Sequence, residues 1–288
     1  LRDGRSIDSG ALSTITHDDL VGLMIGRKVE EAYPKAATAP RDTTVFAASD
    51  LATPGLKPAS FFVCEGEVLG IAGLSGSGQS ELIRAIFGDT RLTGGSMRLG
   101  NASYTPRSPA AAWQSGVAYV PRERRAEGLV MRRPIYENIT LAHLKRQSRA
   151  GTWLTPNREK RFAAELGANM RLKAVGPTQD VIELSGGNQQ KVVFARAVAG
   201  NPRLLLLEEP TRGVDVGAKF DIYSIIRERT AKGAAVILVS SDLPELIGIC
   251  DRIAIMRDGA ISSIVDAAGL GEDDLVNLCY GRTTGMVA

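Results

Sequence analysis

A mostly parallel α/β sheet with a helical insertion is the fold class the sequence predicts, and three observations predict it. Short apolar runs of strand length recur at Val68–Ala72, Leu204–Leu207 and Ala234–Val239. The first two are followed by segments with helical spacing, Ser80–Phe87 and Lys219–Glu228. The stretch between them, roughly Arg124–Glu183, is more polar and reads as helical. Uninterrupted apolar strands alternating with helices indicate strands buried on both faces, with helices supplying the cover.

The elements follow in chain order. Leu1–Lys28 aligns without a gap onto Met256–Thr283, at an offset of 255 residues, with ten of the 28 positions identical. A period that long points to domain duplication, so Leu1–Lys28 is expected to be the C-terminal tail of a first domain. Convergence of short strand–turn–helix endings is the alternative. Val29 to about Thr43 carries Pro34, Pro40 and several alanines and reads as a linker, leaving the second copy to run over 44–288. Val68–Ala72 leads into the glycine-rich Gly73–Gly78 and then a helix. In the polar middle, Asn157 is placed to cap a helix over Arg158–Met170. Another helix is expected from Gln189 to about Ala199, just ahead of Leu204–Leu207.

Composition removes several function classes. At 44% hydrophobic and 23% charged residues, the 288-residue chain has the make-up of an ordinary globular protein. A net charge of +3 is too small a surplus to argue for nucleic acid or an anionic membrane surface. No apolar run approaches the roughly 18 residues of a membrane span. Three scattered cysteines make no CxxC, and two histidines leave little for a zinc site or a His-based triad.

Gly73-Leu74-Ser75-Gly76-Ser77-Gly78-Gln79-Ser80 has the GxxxxG-x-S spacing of a phosphate-binding loop. Glycines let backbone N–H groups turn inward on a phosphate, and the following helix adds its positive N-terminal end. Ser80 is placed to ligate Mg²⁺. A plain glycine-rich turn is the alternative for this segment taken alone. Leu184-Ser185-Gly186-Gly187-Asn188-Gln189-Gln190 opens a helix with a hydroxyl and bare N–H groups, a second anion-binding end. Nineteen residues beyond Ser185 the run Leu204–Leu207 begins, and Glu208, Glu209 and Pro210 follow it. Carboxylates at the end of a buried strand can hold a cation and position a water. Singly they would be a solvated strand end; in this order and spacing they form a set.

That set resembles the ATP-binding subunits of ABC transporters, and the resemblance covers the chain from Thr44 to its end. GLSGSGQS resembles the Walker A loop, LSGGNQQ the ABC signature, LLLLEEP the Walker B strand and Arg212-Gly213-Val214-Asp215 the D-loop. LSGGNQQKV, EPTRGVDVGAK, YVPRERRAEGLV at Tyr119–Val130 and ENITL at Glu137–Leu141 look like the second nucleotide-binding domain of tandem ATPases in bacterial monosaccharide importers. The resemblance implies a P-loop NTPase core, an antiparallel β subdomain and a helical subdomain at about 124–184. It implies ATP and Mg²⁺ as cofactors, with ATP held between two domains. Gly73, Ser75, Gly76, Ser77, Gly78, Gln79 and Ser80 then fall at the phosphate loop, and Ser80 and Glu208 at the Mg²⁺ position. Glu209 falls at the water-activating position and Asp215 at the D-loop residue linking the two sites. Ser185, Gly186, Gly187 and Gln189 fall at the signature, which acts on the partner domain's ATP. The implied partners are a first ABC domain of the same protein, membrane-spanning permease subunits and, indirectly, an extracytoplasmic solute-binding protein, with no nucleic acid. The implied location is the cytoplasmic face of the cell membrane, as a peripheral protein.

Four departures fall on one site. Gln79 stands where the family has the Walker A lysine, and Glu208 where it has an aspartate, one methylene shorter. The Q-loop glutamine falls at Arg122, which donates but accepts no hydrogen bond. The switch histidine falls at Ser241. No aromatic lies between Asp50 and Ser60 to stack on adenine. The domain's own Walker A site is therefore expected to be degenerate and the site it completes for its partner competent. A self-sufficient homodimeric ATPase and a non-catalytic regulatory module are the competing functions. Cys250, Trp113 and Trp153 are expected to pack, His143 to lie at the surface, and Lys191 to serve helix solubility. Leu129–Tyr136, apolar with arginines, is expected to receive a helix of the membrane subunit.

Overall fold

The computed structural model describes residues 6–9, 15, 22–23, 33–34, 39–148 and 153–282. Most of the expected first-domain tail over 1–28 and of the linker over 29–43 lies outside the described residues. β1 (Thr44–Thr53) and β2 (Leu56–Cys64) pair antiparallel across Pro54-Gly55, where Gly55 adopts φ 91°. β3 (Val68–Gly73) is buried almost throughout and feeds α1 (Gln79–Ile86). β4 (Gly94–Leu99) and β5 (Ala102–Ser103) return to the first sheet. α2 (Pro109–Gln114) then precedes β6 (Val117–Val120) and a π-helical turn at Arg124–Gly128. α3 (Ile135–Thr140), α4 (Leu144–Gln147) and α5 (Pro156–Asn169) make the helical region, and α6 (Gly186–Val198) returns the chain to the sheet. β7 (Leu204–Glu208), α7 (Val216–Ala231), β8 (Ala235–Val239) and α8 (Leu243–Ile249) follow. β9 (Arg252–Arg257), β10 (Ala260–Asp266) and α9 (Glu272–Tyr280) come last.

The strands form a four-stranded antiparallel sheet, β2-β1-β4-β5, and a six-stranded sheet, β10-β9-β3-β8-β7-β6. The larger sheet is parallel except for the hairpin strand β10 at its edge. Alternate residues of its central strands enter two different cores. Val68, Leu205, Leu207, Val236 and Ile253 pack toward α6 and α7, whereas Leu69, Leu204, Leu206, Ile237 and Met256 pack toward α1 and the antiparallel sheet. That two-sided burial is why these strands read as unbroken apolar runs. Each fully buried leucine contributes about 2 kcal/mol relative to exposure. The arrangement gathers the C-terminal ends of β3, β6, β7 and β8 along one edge of the sheet, where the motif residues emerge.

Several local expectations change. α5 begins at Pro156 with Thr155 as its N-cap, two residues ahead of the expected Asn157. Proline suits a first helical position, where its missing N–H has no partner to lose. α6 begins at Gly186, three residues ahead of Gln189, because Ser185 caps it. Lys191 is 5% exposed, with its ammonium 2.6 Å from Asp221 and 3.0 Å from the Arg171 carbonyl, so it is an interior ion pair and no solubilising residue. His143 is not at the open surface. Its ring stands edge-on to Trp113, with Nε2 3.0 Å from the Arg196 carbonyl, and burial lowers its pKa. Cys250 and Trp113 pack as expected, but Trp153 is 76% exposed. Within Leu129–Tyr136, Leu129 and Ile135 belong to the core, while Val130 is 47% exposed.

Candidate functional site

β3 ends at Gly73, and the chain turns through Gly76 at φ 82° and Gly78 at φ 102° before entering α1. Those left-handed conformations are open to glycine at no steric cost. Gly78 is the N-cap of α1 and supplies no side-chain cap, so the first N–H groups of the helix stay free for an anion. Ser75 and Gly76 are exposed at the tip, while Ser77 is buried and donates its N–H to the Leu74 carbonyl at 3.0 Å. Nothing lies within 4 Å of a Cβ built at Gly76, which leaves room for a phosphate against the backbone. Gln79 folds back beneath the loop, its amide donating to the Leu74 carbonyl at 3.1 Å. A Cβ at Gly73 would lie 2.4 Å from the Met256 carbonyl oxygen and 2.6 Å from this Nε2, so any side chain there would collide with the backbone.

Ser80 and Glu208 meet although they are 128 residues apart: the Ser80 hydroxyl donates to Oε1 of Glu208 at 2.6 Å. The Tyr119 hydroxyl donates to the other oxygen, Oε2. Glu208 is 2% exposed, so these two hydroxyls supply the contacts that a buried carboxylate requires. Burial, reinforced by the neighbouring Glu208, pushes the ionisation of Tyr119 far above its ordinary range, which keeps the phenol a donor. A serine hydroxyl beside a buried carboxylate is an all-oxygen pair that suits Mg²⁺, a cation usually held by one or two protein ligands with water completing the shell. The residues therefore fit Mg²⁺ and a polyphosphate, short of the cation missing at Gln79.

Glu209 takes a left-handed backbone, φ 48°, fixed by its N–H donating to the Val239 carbonyl at 2.8 Å. Both oxygens of its carboxylate accept from Ser241, one from the backbone N–H at 2.8 Å and the other from the hydroxyl at 3.1 Å. The short hydroxyl at position 241 thus reaches the neighbouring carboxylate. Arg122 is exposed just past the end of β6, on the same sheet edge.

The signature segment is built against the D-loop. Ser185 is exposed and caps α6, its hydroxyl accepting from the Asn188 backbone N–H at 3.4 Å and from the Asn188 side-chain amide at 2.9 Å. A Cβ at Gly187 would lie 2.6 Å from Cβ of Ala218 and 3.2 Å from an oxygen of Asp215. Asp215 caps α7, accepting from the Ala218 N–H at 2.9 Å. Gln189 departs from its expected role at the exposed helix end. It is 0% exposed, and its amide donates inward to the Val181 and Leu184 carbonyls at 3.2 and 3.1 Å. The first turn of α6 rotates residue 189 toward the core, whereas Ser185 and Gly186 remain outside.

Three residues outside the expected set organise the site. Tyr119 holds Glu208, as above. Arg124 donates to the carbonyls of Arg212 and Gly213 at 2.7 and 3.2 Å and lies against Gly186, joining three motifs. Glu245, 0% exposed, accepts from the Thr211 hydroxyl at 2.8 Å, and burial raises its pKa. Tyr119 and Arg124 lie in the segment YVPRERRAEGLV that carried the resemblance, whereas nothing in the sequence singled out Glu245.

A family model described as ABC transporter matches residues 56–212, more than half of the chain and every motif from the phosphate loop to the start of the D-loop. The chain belongs to the ABC transporter family. This ABC domain is 38% identical over 282 residues to a ribose import ATP-binding protein, RbsA, of Caldanaerobacter subterraneus subsp. tengcongensis, covering 98% of the chain and 57% of that relative. It is 39% identical over 281 residues to the RbsA ribose import ATP-binding protein of Chromobacterium violaceum, covering 98% and 56%. The chain spans about half the length of the curated relatives it matches. Among solved structures, a nucleotide-free ATP-binding cassette from an ABC transporter superposes with a TM-score of 0.67 at 21% identity, covering 82% of this chain and 95% of that one. A dimeric post-hydrolysis cassette bound to ADP and Pi also gives 0.67, at 24% identity, covering 78% and 100%. These structures share the α/β ABC ATPase fold of this domain. No helix among the described residues is long and apolar enough to cross a membrane.

Proposed function

We propose that this chain is the second nucleotide-binding domain of a tandem import ATP-binding protein, the energy-coupling subunit for a monosaccharide or related small solute. One contrast carries the reading. The signature end presents an exposed Ser185 ahead of Gly187, which is buried and preassembled against Asp215, while the domain's own loop carries a neutral Gln79 bound to the Leu74 carbonyl and its Glu209 is held by Ser241. Such a domain caps the nucleotide of a partner better than it turns over its own. The internal repeat supports 1–28 as the remnant of a first ABC domain, 29–43 as the linker and 44–288 as the second domain. So does the half-length match to the import ATP-binding relatives.

At its own site, the free backbone N–H groups between Ser75 and Ser80, Ser77 excepted, would cradle phosphates at the start of α1, with Gly73, Gly76 and Gly78 allowing their approach. Ser80 and Glu208 would hold Mg²⁺, which when bound neutralises charge on the phosphates. Glu209 would orient the attacking water once released from Ser241, and Arg122 lies at the adjoining edge. The permease would engage a groove of about 1,020 Å³ beside β6, with Phe87, Trp113 and Leu141 among its apolar walls and Arg84 and Arg146 among its basic ones, rather than the Leu129–Tyr136 segment expected from sequence, which does not line it. On this reading the protein works at the cytoplasmic face of the membrane.

The test is Mg²⁺-dependent ATP hydrolysis by this chain alone and by its mixture with the matching first domain. Silence alone and turnover in the mixture, lost on Ser185→Arg, is the expected result. Turnover by the chain alone, abolished by Glu209→Gln, would instead establish a self-sufficient homodimer and refute the degenerate-site reading.

A further inference from the structure

Within the reading of the Ser80–Glu208 pair as a Mg²⁺-nucleotide site, we propose that Tyr119 is a positioning residue for it. Its hydroxyl fixes Oε2 of Glu208 so that Oε1 stays aligned with the Ser80 hydroxyl.

The argument starts from the length of the carboxylate. Glu208 has one more rotatable bond than an aspartate, which makes its head harder to place. Here both oxygens are engaged by hydroxyls on different elements, Ser80 from α1 and Tyr119 from β6. The tyrosine is well suited to fix a position. It is 8% exposed, its strand pairs in parallel register with β7, and its ring lies 4.8 Å from the Phe87 ring. A phenol so packed has little rotamer freedom left to lose. Arg84, the nearby cation, is committed elsewhere: its guanidinium pairs with Glu127 at 2.8 Å and Asp89 at 3.2 Å. The carboxylate therefore depends on hydroxyls for its orientation, and the longer glutamate and the phenol function as a matched pair. An aspartate at 208 would draw the carboxylate back and lose one of the two hydroxyls.

The experiment uses the whole chain and a fluorescent ATP analogue, titrated without metal and then with Mg²⁺, and with Mn²⁺ followed by electron paramagnetic resonance. Tyr119→Phe keeps the ring and removes the hydroxyl. The Mg²⁺ midpoint for nucleotide binding is expected to rise about tenfold, the scale of one hydrogen bond to a charged group, while metal-free nucleotide affinity stays unchanged. The Mn²⁺ signal is expected to broaden, as the coordinating carboxylate loses its fixed orientation. Glu208→Asp is a second route to the same loss and should raise the Mg²⁺ midpoint too. An unshifted Mg²⁺ midpoint in Tyr119→Phe, or an equal loss with and without metal, overturns the positioning role and leaves the nucleotide site standing. Absence of any Mg²⁺-dependent nucleotide binding in the unaltered chain would overturn the site reading itself, and this inference with it.

Discussion

Replacing Gln79 by lysine puts an ammonium into a loop that now has a neutral amide. The amide nitrogen lies 3.1 Å from the Leu74 carbonyl, inside the turn that would surround a phosphate. A lysine is one atom longer, so its charge would extend past that position toward the phosphates. A unit charge pair at 4 Å is worth about 4 kcal/mol gross at an effective dielectric near 20. Desolvating the ammonium offsets roughly half of that. The remainder, about 2 kcal/mol, corresponds to a ten- to hundredfold gain in ATP affinity. Isothermal titration of both proteins with Mg²⁺-ATP measures it directly. Equal affinities would refute the claim that the missing cation weakens this site. A gain in affinity with no gain in turnover would place the remaining block at Glu209 and Ser241.

Three further changes test other parts of the structure. Gly187→Ala places a methyl 2.6 Å from Cβ of Ala218 and is expected to cost about 2 kcal/mol in urea unfolding, while disabling the signature in the two-domain ATPase assay. Lys191→Met should destabilise the chain by about 2 kcal/mol, below the cost of stranding a wholly buried charge because Asp221 keeps Arg171 at 3.0 Å; a change within 0.5 kcal/mol would mean the pair adds nothing. Burial raises the Glu245 carboxyl above its ordinary 4.5, so the native state holds its proton longer than the unfolded chain does. Stability from that proton is complete at low pH and is lost as pH rises from about 4.5 through the raised value. Glu245→Gln should therefore gain on the parent across that interval in urea midpoints, and a pH-independent difference would contradict the assignment.

The parts of the site legible in the sequence were those written in consecutive residues. A strand, a glycine turn and a helix start make the loop Gly73–Ser80, and a capping serine before two glycines makes the signature. The central strands were legible because burial on both faces leaves runs such as Leu204–Leu207. What stayed hidden was long-range pairing. Tyr119 reaches Glu208 across 89 residues, and Lys191 reaches Asp221 across 30. Periodicity carries no information about such partners, so Lys191 read as a solubilising residue and His143 as a surface one. Gln189 misled for a different reason. The motif places it beside the anion-binding residues, but one turn of helix rotates it into the core.

The two carboxylates at the end of β7 differ in how readily they can move. Glu208 is buried, and freeing it would strand a charge away from water, which is prohibitive under native conditions. Glu209 is only half-buried, and its two bonds to Ser241 lie at the surface, where water can replace them. Two such exchanges cost about 2 kcal/mol together. Its left-handed backbone stores about 1 kcal/mol more, released if the turn relaxes. Glu209 is thus the carboxylate freer to move, and Glu208 the one held in place. The order of the two residues follows from the strand: the last buried position holds Glu208 between two hydroxyls, and the next residue, turned by φ 48°, lies half-buried beyond it.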